Sequence, residues 1–160
     1  MSRTNADGPG LGHRTVRRIE TVVVNPLVTW ILRSRFHWLL SSRLLVLNYE
    51  GRVSGARVST PVLYERDDRA IVVTTGRQEA TWWKNFRREH PAILRLEGTT
   101  VETTGSVLTD PDRTASWVDE LTHRSRLWSW LLGRFGSGEG ERPDPEQLAD
   151  RIAIVRFVPA

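Results

Sequence analysis

The stretch from Leu44 to Pro91 constrains this chain most. It reads as a strand over Arg43–Tyr49, a basic turn Glu50-Gly51-Arg52-Val53-Ser54-Gly55-Ala56-Arg57, and strands over Val58–Tyr64 and Arg69–Thr75; Gly76-Arg77 then leads into Trp82-Trp83-Lys84-Asn85-Phe86. Gly51 and Gly55 bracket Arg52 and Ser54, so the backbone there is free to turn sharply and present amides to an anion. Arg52, Arg57, Arg77, Lys84, Arg87 and Arg88 would then form facing walls of positive charge if the strands pair as neighbours, a setting for an elongated, multiply anionic ligand. On its own residues the turn fits an ordinary Gly-rich hairpin with solvated arginines equally well.

The 160 residues and 18.3 kDa fit one domain with a core large enough to stand without staples. The chain has no cysteine, which removes disulfides, thiolate nucleophiles and zinc-thiolate sites and makes the cytosol the default compartment. A net charge of +4 and a pI near 10.5 call for acidic ligands or partners: a polyanionic cofactor, nucleic acid or an anionic membrane surface. No stretch reaches the roughly 20 apolar residues of a membrane span. The apolar run from Val22 to Leu32 is broken by Asn25-Pro26 and lacks a signal-cleavage site, so neither spanning nor export is expected.

Residues 1–12 read as a disordered tail and 13–160 as one domain, opening with a helical segment over 13–40. Val16, Ile19, Val22 and Val23 carry helical spacing, and Asn25-Pro26 starts a second helix bearing Trp30, Phe36 and Trp38 beside Arg33 and Arg35. That second helix either packs on its own domain or touches an anionic membrane surface. A hairpin turn falls over 65–68 and a short helix over Glu79 to His90, stopped by Pro91. Strands 92–96 and 100–108 pair across Glu97-Gly98-Thr99, with Gly105 marking a bulge. One long helix runs from Asp110-Pro111 to Gly133, a flexible loop follows to Pro145, and 151–158 is the last strand.

The glycines of 136–140 have no strand before them and open no helix, so they are a linker instead of a dinucleotide fingerprint. Ser54 stands one place too late for a hydrolase elbow. His13, His37, His90 and His123 lack metal-ligand spacing, so no metal site is expected. Most of the seven tryptophans have helical core spacing, whereas Trp82 and Trp83 adjoin Arg77, Lys84 and Asn85. A basic barrel stacking single-stranded nucleic acid on that pair is the competing class, weakened because the arginines cluster at one turn and one helix.

The order and spacing of Gly51-Arg52-x-Ser54-Gly55, Pro61-Val62-x-Tyr64, Thr75-Gly76-Arg77, Trp82-x-x-Asn85 and Pro91 resemble the deazaflavin-dependent nitroreductase and quinone reductase family. The resemblance spans roughly residues 44–108 and continues more loosely into both termini. It implies an α+β, mainly β fold: an FMN-binding-like split β-barrel of about six strands, with N-terminal helices and one long helix outside. It also implies coenzyme F420, whose tail carries a phosphate and glutamates, a small-molecule electron acceptor and a homodimer. Carried over by position, Gly51, Arg52, Ser54, Gly55 and Arg57 would hold the phosphate and tail. Val73, Thr74, Thr75 and Gly76 would lie along the ring, Arg77 would be a basic phosphate ligand, and Trp82, Trp83 and Asn85 complete the pattern. Tyr49, Ser59 and Tyr64 are the candidate hydroxyls that could protonate or steady the acceptor, and none of them is singled out as catalytic. Val53 and Val58 depart from the family's basic residues, which leaves FMN as the alternative cofactor.

Overall fold

Alternation in burial explains how the strands curl. In the computed structural model, which describes residues 21–22, 43–133 and 144–160, β2 (Leu44–Glu50) and β5 (His90–Leu96) turn Leu45, Leu47 and Tyr49, and Ala92, Leu94 and Leu96, inward. The residues between them face out, as one-sided sheets require. β4 (Ala70–Gly76) is buried throughout, because its second face is covered as well. β3 (Arg57–Asp67), β6 (Thr99–Val107) and β7 (Ile152–Pro159) complete the set, and β1 (Thr21–Val22) is a two-residue addition.

Strands β2 to β7 close into an antiparallel barrel in the cyclic order β3-β2-β5-β6-β7-β4, with β4 returning to β3. β1 lies parallel to β3, Thr21 beside Val58 and Val22 beside Ser59. The barrel is split where β3 changes neighbours. β3 meets β4 only from Tyr64↔Val73 to Asp67↔Ala70, while β4 stays paired with β7 as far as Gly76↔Ile152. Pro61 sits in the part of β3 that has β2 beside it and, among the described residues, nothing on the other edge. A residue without an N–H fits such a one-sided position.

There are two cores. The barrel interior holds Leu47, Val62, Val73, Leu94, Val155 and Phe157 around the 3₁₀ turn Trp82–Phe86, whose Trp82, Trp83 and Phe86 are buried. The second core lies between Leu63, Val72, Ile152 and Ile154 of the sheet and α1 (Pro111–Arg124), α2 (Arg126–Gly133) and α3 (Pro145–Arg151). Asp110 and Asp144 cap α1 and α3 through their carboxylates, each followed by proline in the first turn. Trp128 of α2 is tied to the barrel by its indole N–H, which donates to Glu65 Oε1 at 2.5 Å; Arg43 pairs with the same carboxylate.

Several sequence expectations change. The long helix is two helices, because Ser125 is extended (φ −149°) between them. The buried run Trp117, Val118, Leu121 resumes only at Trp128, with polar Arg124 and Ser125 where a straight helix needs apolar residues. The helix expected over 79–90 contracts to Trp82–Phe86, and His90 already belongs to β5. β3 runs on to Asp67, so that hairpin turns at Asp68-Arg69 instead of over 65–68. Gly105 marks no bulge: β6 keeps one register with β5 and with β7 across it. The glycine is required because an added Cβ would lie 2.5 Å from the Phe157 ring and 2.7 Å from that of Phe86. Thr21–Val22 is strand where a helix was expected, and α3 fills the interval between the expected loop, which ended at Pro145, and the expected last strand, which began at Arg151. The rest of the expected 13–40 helical segment, the 1–12 tail and the glycines of 136–140 lie outside the described residues. Among the described residues no helix is long and apolar enough to cross a membrane.

Candidate functional site

The basic turn closes on itself before it meets anything else. Gly51 N–H donates to the Ala56 carbonyl and Gly55 N–H to the Gly51 carbonyl, both at 2.8 Å, and Ala56 N–H donates to Ser54 Oγ at 3.2 Å. Gly55 has φ +63°, and a Cβ on Gly51 would meet Ser54 Oγ at 2.6 Å. Gly55 is therefore accounted for by its backbone conformation, and Gly51 by its close approach to the Ser54 side chain. The Gly51 and Gly55 amides expected to face an anion are already bonded, which is a correction to the sequence reading.

Arg52 is similarly engaged. Its backbone N–H donates to Asn85 Oδ1 at 3.0 Å, its Nε to the Asn85 carbonyl at 2.5 Å, and its Nη2 to the carbonyls of Arg88 (3.0 Å) and Glu89. Asn85 Nδ2 donates to the Trp82 carbonyl at 2.9 Å. His90 Nε2 meets the Glu50 carbonyl at 2.6 Å. Five hydrogen bonds thus clamp the turn to the 3₁₀ turn and the residues that follow it. The charged fork of Arg52 caps the otherwise unpaired carbonyls there, as arginine does better than lysine.

The uncommitted cations lie elsewhere. Arg77 donates from Nε to the Ile152 carbonyl at 2.6 Å and places its guanidinium carbon 5.1 Å from the centre of the Trp83 ring. Arg87 lies 5.2 Å and Lys84 6.0 Å from the same centre. Trp83 is 4% exposed and donates its indole N–H to the Ala80 carbonyl at 2.8 Å, so the ring is fixed. Trp82 points into the barrel against Phe86, whose ring also meets Tyr49, His90 and Phe157 edge to face.

Val73, Thr74, Thr75 and Gly76 form the end of β4, where one edge is paired with β7 and the other, beyond Val73, has left β3. Thr60 Oγ1 and Thr75 Oγ1, on the inward faces of β3 and β4 beside that gap, are buried without a hydrogen-bond partner, as is Trp82 Nε1. Trp117 Nε1, in the helix-side core, is in the same condition. A buried polar group left unpaired costs about 1–3 kcal/mol. Three such groups on the barrel side fit a ligand with a polar edge, as a flavin-type ring has.

Tyr49, Arg57 and Ser59 line one groove of about 550 Å³ with Asn48, Glu50 and Ile93. Burial raises the Tyr49 hydroxyl to about 12. Tyr64 is not with them. It donates to Glu97 Oε1 at 3.2 Å at the opposite end of the barrel, where Arg66 pairs with the other carboxylate oxygen; burial first and the Glu97 charge second raise its pKa. His90 and Thr60 escaped the sequence reading. Pro91 was the available signal for His90, since the residue before proline is biased towards extended backbone. Among the described residues no cluster of three or more His, Asp or Glu could hold a metal.

No family model matches the chain, and no curated protein matches it. Solved structures do. A pyridoxamine 5'-phosphate oxidase-related, FMN binding protein from Nostoc punctiforme is 12% identical, over 82% of this chain and 78% of that one, with a TM-score of 0.53. General Stress Protein 26 from Bacillus anthracis is 16% identical over 83% and 86%, with a TM-score of 0.47. An F420 reductase is 14% identical over 79% and 94%, with a TM-score of 0.41. The first of these establishes the fold: this chain has the split-barrel architecture of FMN-binding-like proteins. At 12% identity it establishes nothing further.

Proposed function

We propose that the chain is a flavin-type oxidoreductase that uses coenzyme F420 to reduce a quinone, a nitro compound or another conjugated acceptor. One observation carries this reading. The Gly51–Gly55 turn, Thr75-Gly76-Arg77 and Trp82-x-x-Asn85, dispersed in sequence, gather at one end of the barrel through the Arg52 clamp, the Arg77–Trp83 contact and the Ala80 N–H bond to Gly76. When bound, a reduced deazaflavin supplies the hydride. The protein's tasks are then to hold, orient and exclude water. Thr60, Thr75 and Trp82 offer buried polar atoms to a ring edge, and Asn48, Arg57 and Ser59 line a groove able to take the acceptor. Tyr49 turns its ring into the barrel against Phe86, on the other face of the sheet from Ser59, and so shapes the site by packing.

FMN is the second reading. It is favoured by Val53, which is fully exposed where the resemblance calls for a cation, and by Val58, which packs against the barrel core. Fluorescence titration with oxidised F420 and with FMN tests both; saturable binding to neither overturns the oxidoreductase reading. A homodimer and membrane contact through residues 13–40 remain part of the proposal and are tested by sedimentation, alone and with anionic vesicles.

A further inference from the structure

We infer that the anion seat of this protein is the cation cluster around Trp83, built by Arg77, Lys84 and Arg87, and that the Gly-rich turn is its support. The inference rests on the flavin reading only for the identity of the natural ligand. Three positive groups converge on one indole, at 5.1, 6.0 and 5.2 Å from its centre. None of them has an acidic partner among the described residues. An aromatic face offsets a cation only modestly, and like charges gathered in this way repel. A multiply negative group relieves that repulsion. The platform is also fixed: Trp83 is buried and bonded to Ala80, and Arg77 is anchored at Nε by the Ile152 carbonyl, with both of its Nη groups left for a ligand. Arg52, by contrast, has given Nε and Nη2 to carbonyls, and the flanking glycine amides are bonded within the turn. The ligand chemistry is a group with two or more negative charges, from either a phosphate or a run of carboxylates.

The probes are inorganic pyrophosphate and a tetraglutamate peptide, followed through the Trp83 indole N–H resonance. The wild-type chain should show a saturable shift with at least one of them, and which one identifies the source of the charge. In Lys84→Glu/Arg87→Glu the affinity should fall at least tenfold. In Arg69→Glu/Arg113→Glu, which makes the same charge change on exposed residues elsewhere, it should stay within twofold. No saturable shift with either anion, or equal losses in the two double variants, overturns the inference. Flavin binding that ignores Lys84→Glu/Arg87→Glu in a folded protein also overturns it while sparing the flavin reading. Pyrophosphate binding here with no flavin binding supports the seat and removes that reading instead.

Discussion

Arg52 and Asn85 are bonded twice, main chain to side chain and side chain to main chain, across thirty-three residues of sequence. The pair makes the Gly-rich turn and the 3₁₀ turn one unit. Arg52→Lys should destabilise the protein by about 1–2 kcal/mol, since a lysine cannot fork across several carbonyls. Asn85→Ala should cost a similar amount. Because both variants break the same joint, urea unfolding of the double variant should fall short of additivity by at least about 0.5 kcal/mol. Strict additivity would show that the clamp carries no energy. Arg52→Ala should also weaken cofactor binding, by about 1.5–3 kcal/mol if Arg52 touches the ligand directly and by less if it acts only through the clamp.

Gly105 and Gly98 separate two reasons for glycine. Gly98 has φ +77° with open space around it, whereas a Cβ added at Gly105 would lie within 2.7 Å of the Phe157 and Phe86 rings. Gly98→Ala should cost about 1 kcal/mol from backbone strain alone. Gly105→Ala should cost about 1–3 kcal/mol from overpacking and should also perturb the Tyr49–Phe86 contact. Thermal unfolding with near-UV circular dichroism distinguishes them: a lost aromatic signal is expected only at position 105.

The barrel was legible because its strands announce themselves in different ways. β5 alternates and β4 does not, and both patterns follow from how many faces are covered. The turn at 51–55 was legible as a turn, but its donors were not legible as spent. The carbonyls that consume Arg52 belong to residues 85, 88 and 89, and their availability depends on a 3₁₀ turn that ends at Phe86. A continuous helix over 79–90 would have bonded the Asn85 carbonyl internally, to the N–H of Glu89. The break at Ser125 was missed for a related reason: helical periodicity on either side of it is good, and only the spacing between Leu121 and Trp128 betrays the change of direction. Nothing in the sequence marked Thr60, whose importance lies in where two strands part.

Tyr49 makes stability depend on pH in one direction. Its hydroxyl is raised by burial from 10 in the unfolded chain to about 12 in the fold. The fold therefore favours the protonated form, and that contribution is complete below pH 10. As pH rises from 10 through about 12 the unfolded chain releases this proton first, so stability falls across the window. Tyr49→Phe should flatten that part of the profile. Urea midpoints measured from pH 9 to 12 check this; an identical decline in Tyr49→Phe would assign the loss to other groups.

The three candidate hydroxyls should separate by position. Ser59 faces the outward groove, Tyr49 turns its ring into the barrel against Phe86, and Tyr64 is bonded to Glu97 at the far end of the barrel. Tyr64→Phe should leave turnover within about twofold and cost roughly 1 kcal/mol of stability, the usual worth of one hydrogen bond. Tyr49→Phe alters a ring packed inside the barrel against Phe86, and it should leave kcat with a quinone acceptor within about twofold, because no donor in the groove is lost. Ser59→Ala should raise KM more than it lowers kcat, because Ser59 sits on the outward face of β3, opposite Asn48 in the ladder, where a hydroxyl meets bound acceptor and transition state alike. Steady-state kinetics with reduced F420 measures all three. A Tyr64 variant that loses more activity than the Ser59 variant would move the acceptor to the opposite mouth of the barrel, the pocket of about 490 Å³ lined by Arg66, Ile71, Leu96 and Glu97.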